Sequence, residues 1–294
     1  MAENCISYVP TTEEYFSEYS TALIILLVIS GCLLLLVSGL YYQIARIILD
    51  SYARLCQVEL IIANGIYAVV VAFCIISLAV PVLSEQFNLA TLIVFSWCIF
   101  ALYRYIVLTA GGHDALRQMF ESGSNERLAT GGLVRRLLYR IFGGYNFTRF
   151  SIVQFPVVST ILSVVQIVLH LVDIDEYYKH IYTFLAISII SILLYLIAFS
   201  LLVNLIEPKF PDSKIAKKFK YLRLVVLVIK IQIQILEAIF RGVDIQCNDF
   251  PGEAWSLLNL VKQPLIVVQM IVLAFATWTV YRKETKLNIA SSVS

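Results

Sequence analysis

Seven apolar runs alternate with shorter polar stretches along the chain. Each is long enough to cross a hydrocarbon core as a helix, which takes roughly 20 residues. They predict membrane spans at 22–43, 56–83, 89–109, 150–171, 180–206, 220–243 and 257–281. A short acidic tail, 1–21, precedes the first span, and a short tail that starts Arg282-Lys283, 282–294, follows the last. Pro81 marks the end of the second span, and Pro264 predicts a kink in the seventh. Composition agrees: 60% of the residues are hydrophobic, against about 45–50% in a soluble domain. The expected fold is an all-α integral membrane protein of seven transmembrane helices.

Charge orients the bundle. Seven spans put the termini on opposite sides, and seventeen of the 22 Lys and Arg fall on the side of the C-terminus. The side facing the N-terminus has only Lys179 and Arg241; Arg104, Lys230 and Lys262 lie within spans. Basic loops stay in the cytoplasm, so the N-terminus is expected outside and the C-terminus inside. The first 20 residues have no basic n-region of the kind a cleavable signal carries.

The sixth span departs from the pattern. KYLRLVVLVIKIQIQILEAIFRGV carries Lys230, Gln232, Gln234 and Glu237 inside an apolar run. At about 100° per residue, Arg223, Lys230, Gln234, Glu237 and Arg241 share one stripe, and Gln232 points away from it. Charge at membrane depth is costly and faces a partner, a cavity or a pathway. Two readings stand at this point. The stripe lines a solute route, or Lys230 and Glu237 form a structural pair bridged by Gln234. Lys262, in the seventh span, is a second basic group at depth that could meet an anion.

The polar segment between the third and fourth spans holds LVRRLLYRIF. Arg135, Arg136 and Arg140 fall on one helical face and Val134, Leu137, Leu138 and Ile141 on the other, which predicts an interfacial helix resting on anionic lipid. Asn146-Phe147-Thr148 is a formal glycosylation sequon, but it lies on the cytoplasmic side of this topology. Cys5 and Cys247 both face the oxidising side, so a disulfide between them is expected, with two free thiols as the alternative. Cys56, at an inner boundary, is a candidate for lipidation.

Catalysis has few residues to stand on. Of the three histidines, His113 is on one side and His170 and His180 are near the other, so they do not converge on a metal. There is no nucleophile elbow, zincin motif, phosphate loop or dinucleotide fingerprint. Neither a cofactor nor a metal is expected. Tyr103-Arg104-Tyr105 resembles a receptor's acid-Arg-Tyr motif, but the acid is missing, and a chance match is the better account.

Several stretches together resemble the organic solute transporter alpha-subunit family. They are Cys5-Ile6-Ser7-Tyr8-Val9-Pro10-Thr11, Gly111-Gly112-His113-Asp114-Ala115-Leu116-Arg117, Lys218-Phe219, Arg223-Leu224-Val225-Val226 with Gln232, Ile245-Gln246-Cys247 and Tyr281-Arg282-Lys283. Each is short; their order and spacing across nearly the whole chain carry the resemblance. One departure stands out. The family's vertebrate members carry a cysteine run in the third loop, where this chain has none.

The resemblance implies facilitated diffusion of sterol-derived and other amphipathic organic anions at the plasma membrane, with endomembranes as a further location. It also implies a small single-span beta subunit as partner; membrane lipid and a homo- or hetero-oligomer are further expected partners, and nothing suggests nucleic acid. The expected pathway residues are Lys230, Gln232, Gln234, Glu237 and Lys262, and Gly111 and Gly112 turn the chain where the third span ends. Two rival classes remain open: a membrane-organising or trafficking protein of the same fold, and a ligand-sensing receptor.

Overall fold

The computed structural model describes residues 11–130, 144–232, 235–236 and 253–293. Among these the chain is helical, with no strand. The helices are α1 (Thr12–Ser51), α2 (Arg54–Asn64), α3 (Ile66–Ala79), α4 (Ser84–Thr109), α5 (His113–Thr130), α6 (Tyr145–Val172), α7 (Ile174–Ile206), α8 (Ile215–Val226) and α9 (Glu253–Val293).

Six segments among the described residues are long and apolar enough to cross a membrane. They are Thr12–Ser51, Arg54–Ala79, Pro81–Thr109, Tyr145–Val172, Lys179–Ile206 and Ser256–Lys283. They correspond to the first five predicted spans and the seventh. The predicted sixth span, 220–243, lies partly outside the described residues. Its described part is the end of α8 and a π-helical turn, Leu227–Gln232. Only 17% of the most apolar window of α1 and 22% of that of α6 is buried within the protein. Those two helices are the least covered by the rest of the described chain.

Local chemistry sets the helix ends. α1 begins ten residues before the expected span because Thr11 and Glu14 form a capping box. The Thr11 hydroxyl accepts the Glu14 N–H at 3.3 Å, and the Glu14 carboxylate accepts the Thr11 N–H at 2.8 Å. Val80 precedes Pro81, which excludes it from the α region; its φ of −128° ends α3. Asp173 caps α7 by accepting the Glu176 N–H at 3.1 Å.

The C-terminus of α4 closes with Gly111 at φ +89° and Gly112 at φ +107°. Gly112 N–H donates to Val107 C=O at 2.9 Å and Gly111 N–H to Leu108 C=O at 3.1 Å. This is the paired bonding of a Schellman cap, which takes a glycine where the chain turns left-handed.

The chain forms two compact units. The first comprises Met1–Ile44, Gly65–Thr91 and Tyr221–Thr279. Its buried cluster is Tyr15, Leu23 and Leu78, with Phe16, Tyr19, Leu26, Leu27 and Leu260 packed against it. The second comprises Ala45–Asn64, Leu92–Lys220 and Val280–Ser294. In it α2 runs antiparallel to the second half of α4. Cys98 Sγ donates to Ile62 C=O at 3.3 Å, Arg104 pairs with Glu59 at 3.1 Å, and the Cys56 thiol hydrogen-bonds with Thr109. α6 and α7 pack side by side, stacking Phe155 on Tyr195 at 4.8 Å. Their polar seam joins the Ser191 hydroxyl to Gln154 Oε1 at 3.1 Å.

Candidate functional site: the polar face of the last helix

Within the first unit, polar groups collect where Pro81 interrupts the helix. The carbonyl of Ser77 would bond the N–H of residue 81 in a continuous helix, and proline has none. The Asn259 amide of α9 takes that carbonyl at 3.1 Å. Asn259 Oδ1 in turn accepts the Ser84 hydroxyl at 3.3 Å and the Gln263 amide at 3.1 Å. Asn259 and Gln263, one turn apart, are thus fixed by the break they repair. Farther along α9, Thr277 hydrogen-bonds the hydroxyl of Tyr67 at 2.9 Å.

Lys262 stands beside this network and is 5% exposed. Among the described residues it has no ion pair and no hydrogen bond; the Cys74 thiol is its electrostatic neighbour. The Ser256 hydroxyl, on the preceding turns of α9, and Gln232 Nε2, which closes the π turn, are also buried without a hydrogen-bond partner among the described residues. A buried cation and unfilled N–H and O–H donors within one unit suit an anion.

A family model described as organic solute transporter Ostalpha matches residues 25–286. The chain belongs to that family. No curated protein and no solved structure matches it. Membership makes the chain a subunit of an organic solute transporter and a multi-pass membrane protein, and the matched stretch includes the whole network around Asn259.

The expected site residues of this Ostalpha-family chain are distributed as follows. Lys262 and Gln232 belong to the first unit and are described above. Lys230 lies within the π turn. A π turn closes i→i+5 bonds, so the constant 100° advance that aligned Arg223 with Lys230 does not hold through it. Gln234, Glu237 and Arg241 lie outside the described residues, as do Cys5, Cys247, Arg135, Arg136 and Arg140. Gly111 and Gly112 occupy the cap at the end of α4.

Sequence reasoning missed Ser84, Asn259 and Gln263. Their signal was available: two amides one turn apart in an apolar span, facing a proline break in another. It also counted Lys218 simply as one of the seventeen basic residues on the side of the C-terminus. Lys218 is 3% exposed and sits among the rings of Tyr52, Tyr105 and Tyr281 at 4.9, 5.2 and 4.9 Å.

Proposed function

We propose that this subunit carries amphipathic organic anions, such as steroid conjugates, down their gradient. The path runs along the polar face of α9 and the π turn. The observation that carries the reading is Lys262: a buried ammonium in a membrane helix with no counter-ion among the described residues. A permanent carboxylate partner would neutralise it, whereas a passing anion does so only in transit. The sequence pattern adds Lys230, Gln234 and Glu237 to the same path. The resemblance supports a single-span beta subunit as partner, and the loop charges support the outward N-terminus and a plasma-membrane location.

Uptake of a sulfated steroid into cells tests this, with the candidate beta subunit present and absent. Lys262→Met, at wild-type surface abundance, is expected to lose at least about tenfold in initial rate, the equivalent of one good charge contact. Lys262→Arg is expected to keep transport. Wild-type flux in the methionine variant would remove α9 from the pathway and favour a membrane-organising role.

A further inference from the structure

Arg104 is a membrane-span arginine whose side chain is both ion-paired and mostly exposed. Its Nε lies 3.1 Å from Glu59 Oε1, yet the two partners are unlike in environment: the Arg104 side chain is 59% exposed and that of Glu59 9%. The carboxylate is inside the protein and the guanidinium is at its surface. The pair uses the Nε edge of a group with five N–H donors. The terminal nitrogens make no hydrogen bond among the described residues.

The surface around them is apolar. Trp97, Arg104 and Leu108 fall on one exposed stripe of α4, and Leu55, Val58 and Ile62 form an exposed stripe on α2. The Trp97 indole N–H is already engaged, donating to Thr160 at 3.2 Å. Depth follows from the helix. Arg104 is five residues before Thr109, or about 7.5 Å at 1.5 Å per residue, and the Gly111-Gly112 cap ends the helix just beyond. A long arginine stem spans that interval, so its head lies at the boundary between acyl chains and headgroups. Behind the pair the charge is positive: Glu59 and Lys218 both act on Cys56, and with Arg104 they sum to one excess positive charge.

We propose that Arg104 holds the phosphodiester of a glycerophospholipid through its terminal nitrogens, with the acyl chains lying on the Leu55, Val58 and Ile62 stripe. Planar guanidinium matches two phosphate oxygens in a way that water or a point charge does not. Glu59 meets the guanidinium on its Nε side and leaves the other edge to the lipid. The excess positive charge selects headgroups with net negative charge.

The test is native mass spectrometry of the full-length protein purified from vesicles of phosphatidylcholine with phosphatidylglycerol. The wild type is expected to retain phosphatidylglycerol. The double variant Glu59→Gln with Arg104→Gln leaves no lone charge, which protects its fold, and is expected to retain about tenfold less. Glu59→Gln alone is expected to retain at least as much as wild type, because the guanidinium is released whole. Equal retention by the double variant would overturn the proposal, as would equal loss in Glu59→Gln. With diacylglycerol added to the same vesicles, retention of it as strong as that of phosphatidylglycerol would reduce the site to its apolar stripe and overturn it too. Stripping of the lipid by excess inorganic phosphate would overturn the lipid assignment.

Discussion

The ammonium of Lys218 donates to the hydroxyl of Tyr52 at 2.9 Å and lies 4.9 Å from the centroid of that same ring. Tyr52 thus meets the cation through its hydroxyl oxygen. A second donor goes to the Ser213 carbonyl at 2.8 Å, and the rings of Tyr105 and Tyr281 complete the enclosure. Tyr281 is held in place by the Asn64 amide, which donates to its hydroxyl at 2.9 Å. The start of α8 is therefore tied to the turn between α1 and α2, to α4 and to the end of α9 through one side chain.

Removing that cation is expected to cost stability. A desolvated cation–π contact is worth about 2 kcal/mol, so Lys218→Met should unfold at a clearly lower temperature in detergent. Tyr281→Phe keeps its ring and loses one hydrogen bond, a cost of about 1 kcal/mol. Thermal unfolding followed by intrinsic fluorescence ranks the two; a larger loss for Tyr281→Phe than for Lys218→Met would contradict the cage.

This cage shows what the sequence hides. The spans were legible because apolar runs of membrane length have few other uses: six of the predicted segments coincide with long apolar helices. The double glycine was legible because only glycine takes φ of +89° and +107° without strain. Lys218 was not, since it sits in a basic run whose composition matches an exposed loop. Its burial is decided by three tyrosines distant in sequence. Nor could periodicity reveal a π turn, because counting at 100° per residue assumes the α-helix it is meant to detect.

Substitution at the α4 cap separates space from backbone strain. A Cβ at Gly111 would meet only the Cβ of Ala115 at 3.7 Å, an ordinary contact, and one at Gly112 would meet nothing. Whatever an alanine costs there is therefore conformational, about 1–2 kcal/mol per site. Gly112→Ala is expected to be the worse, its φ being farther from the left-handed helical well. Surface expression and melting temperature should fall for both, and wild-type values at both sites would refute the conformational account.

The other end of that turn is pH-sensitive. His113 Nδ1 lies 2.6 Å from the Tyr145 hydroxyl. Burial first, and the charge of Arg149 second, hold its imidazole below the ordinary 6.5. The unfolded chain then binds the proton more readily than the folded one, so stability is fully present above 6.5. It declines as pH falls through 6.5 toward the lower folded value, where the loss is complete. Melting temperature measured on either side of that window should drop more for wild type than for His113→Gln; equal drops would show that His113 does not carry the effect.

The π turn itself gives the sharpest test of the path. A π turn is an α-helix holding one residue more than its hydrogen bonding needs, and such turns persist mainly at functional sites. Deleting one residue from Leu227–Gln232 should let the stretch relax to α-helix. α8, which leads into the turn, keeps its register, because the residue removed is the surplus one. If the turn is only tolerated strain, the deletion should raise the melting temperature and leave flux unchanged. The path along α9 predicts otherwise. Gln232 brings a buried amide nitrogen, without a hydrogen-bond partner among the described residues, to the unit that holds Lys262, and straightening the helix turns that amide to a different bearing. The deletion variant should therefore reach the membrane, melt no lower than wild type, and lose most of its uptake of sulfated steroid. Deleting one residue from the lipid-facing part of α1, which has no surplus residue, is the control: it should harm folding without that separation of stability from transport.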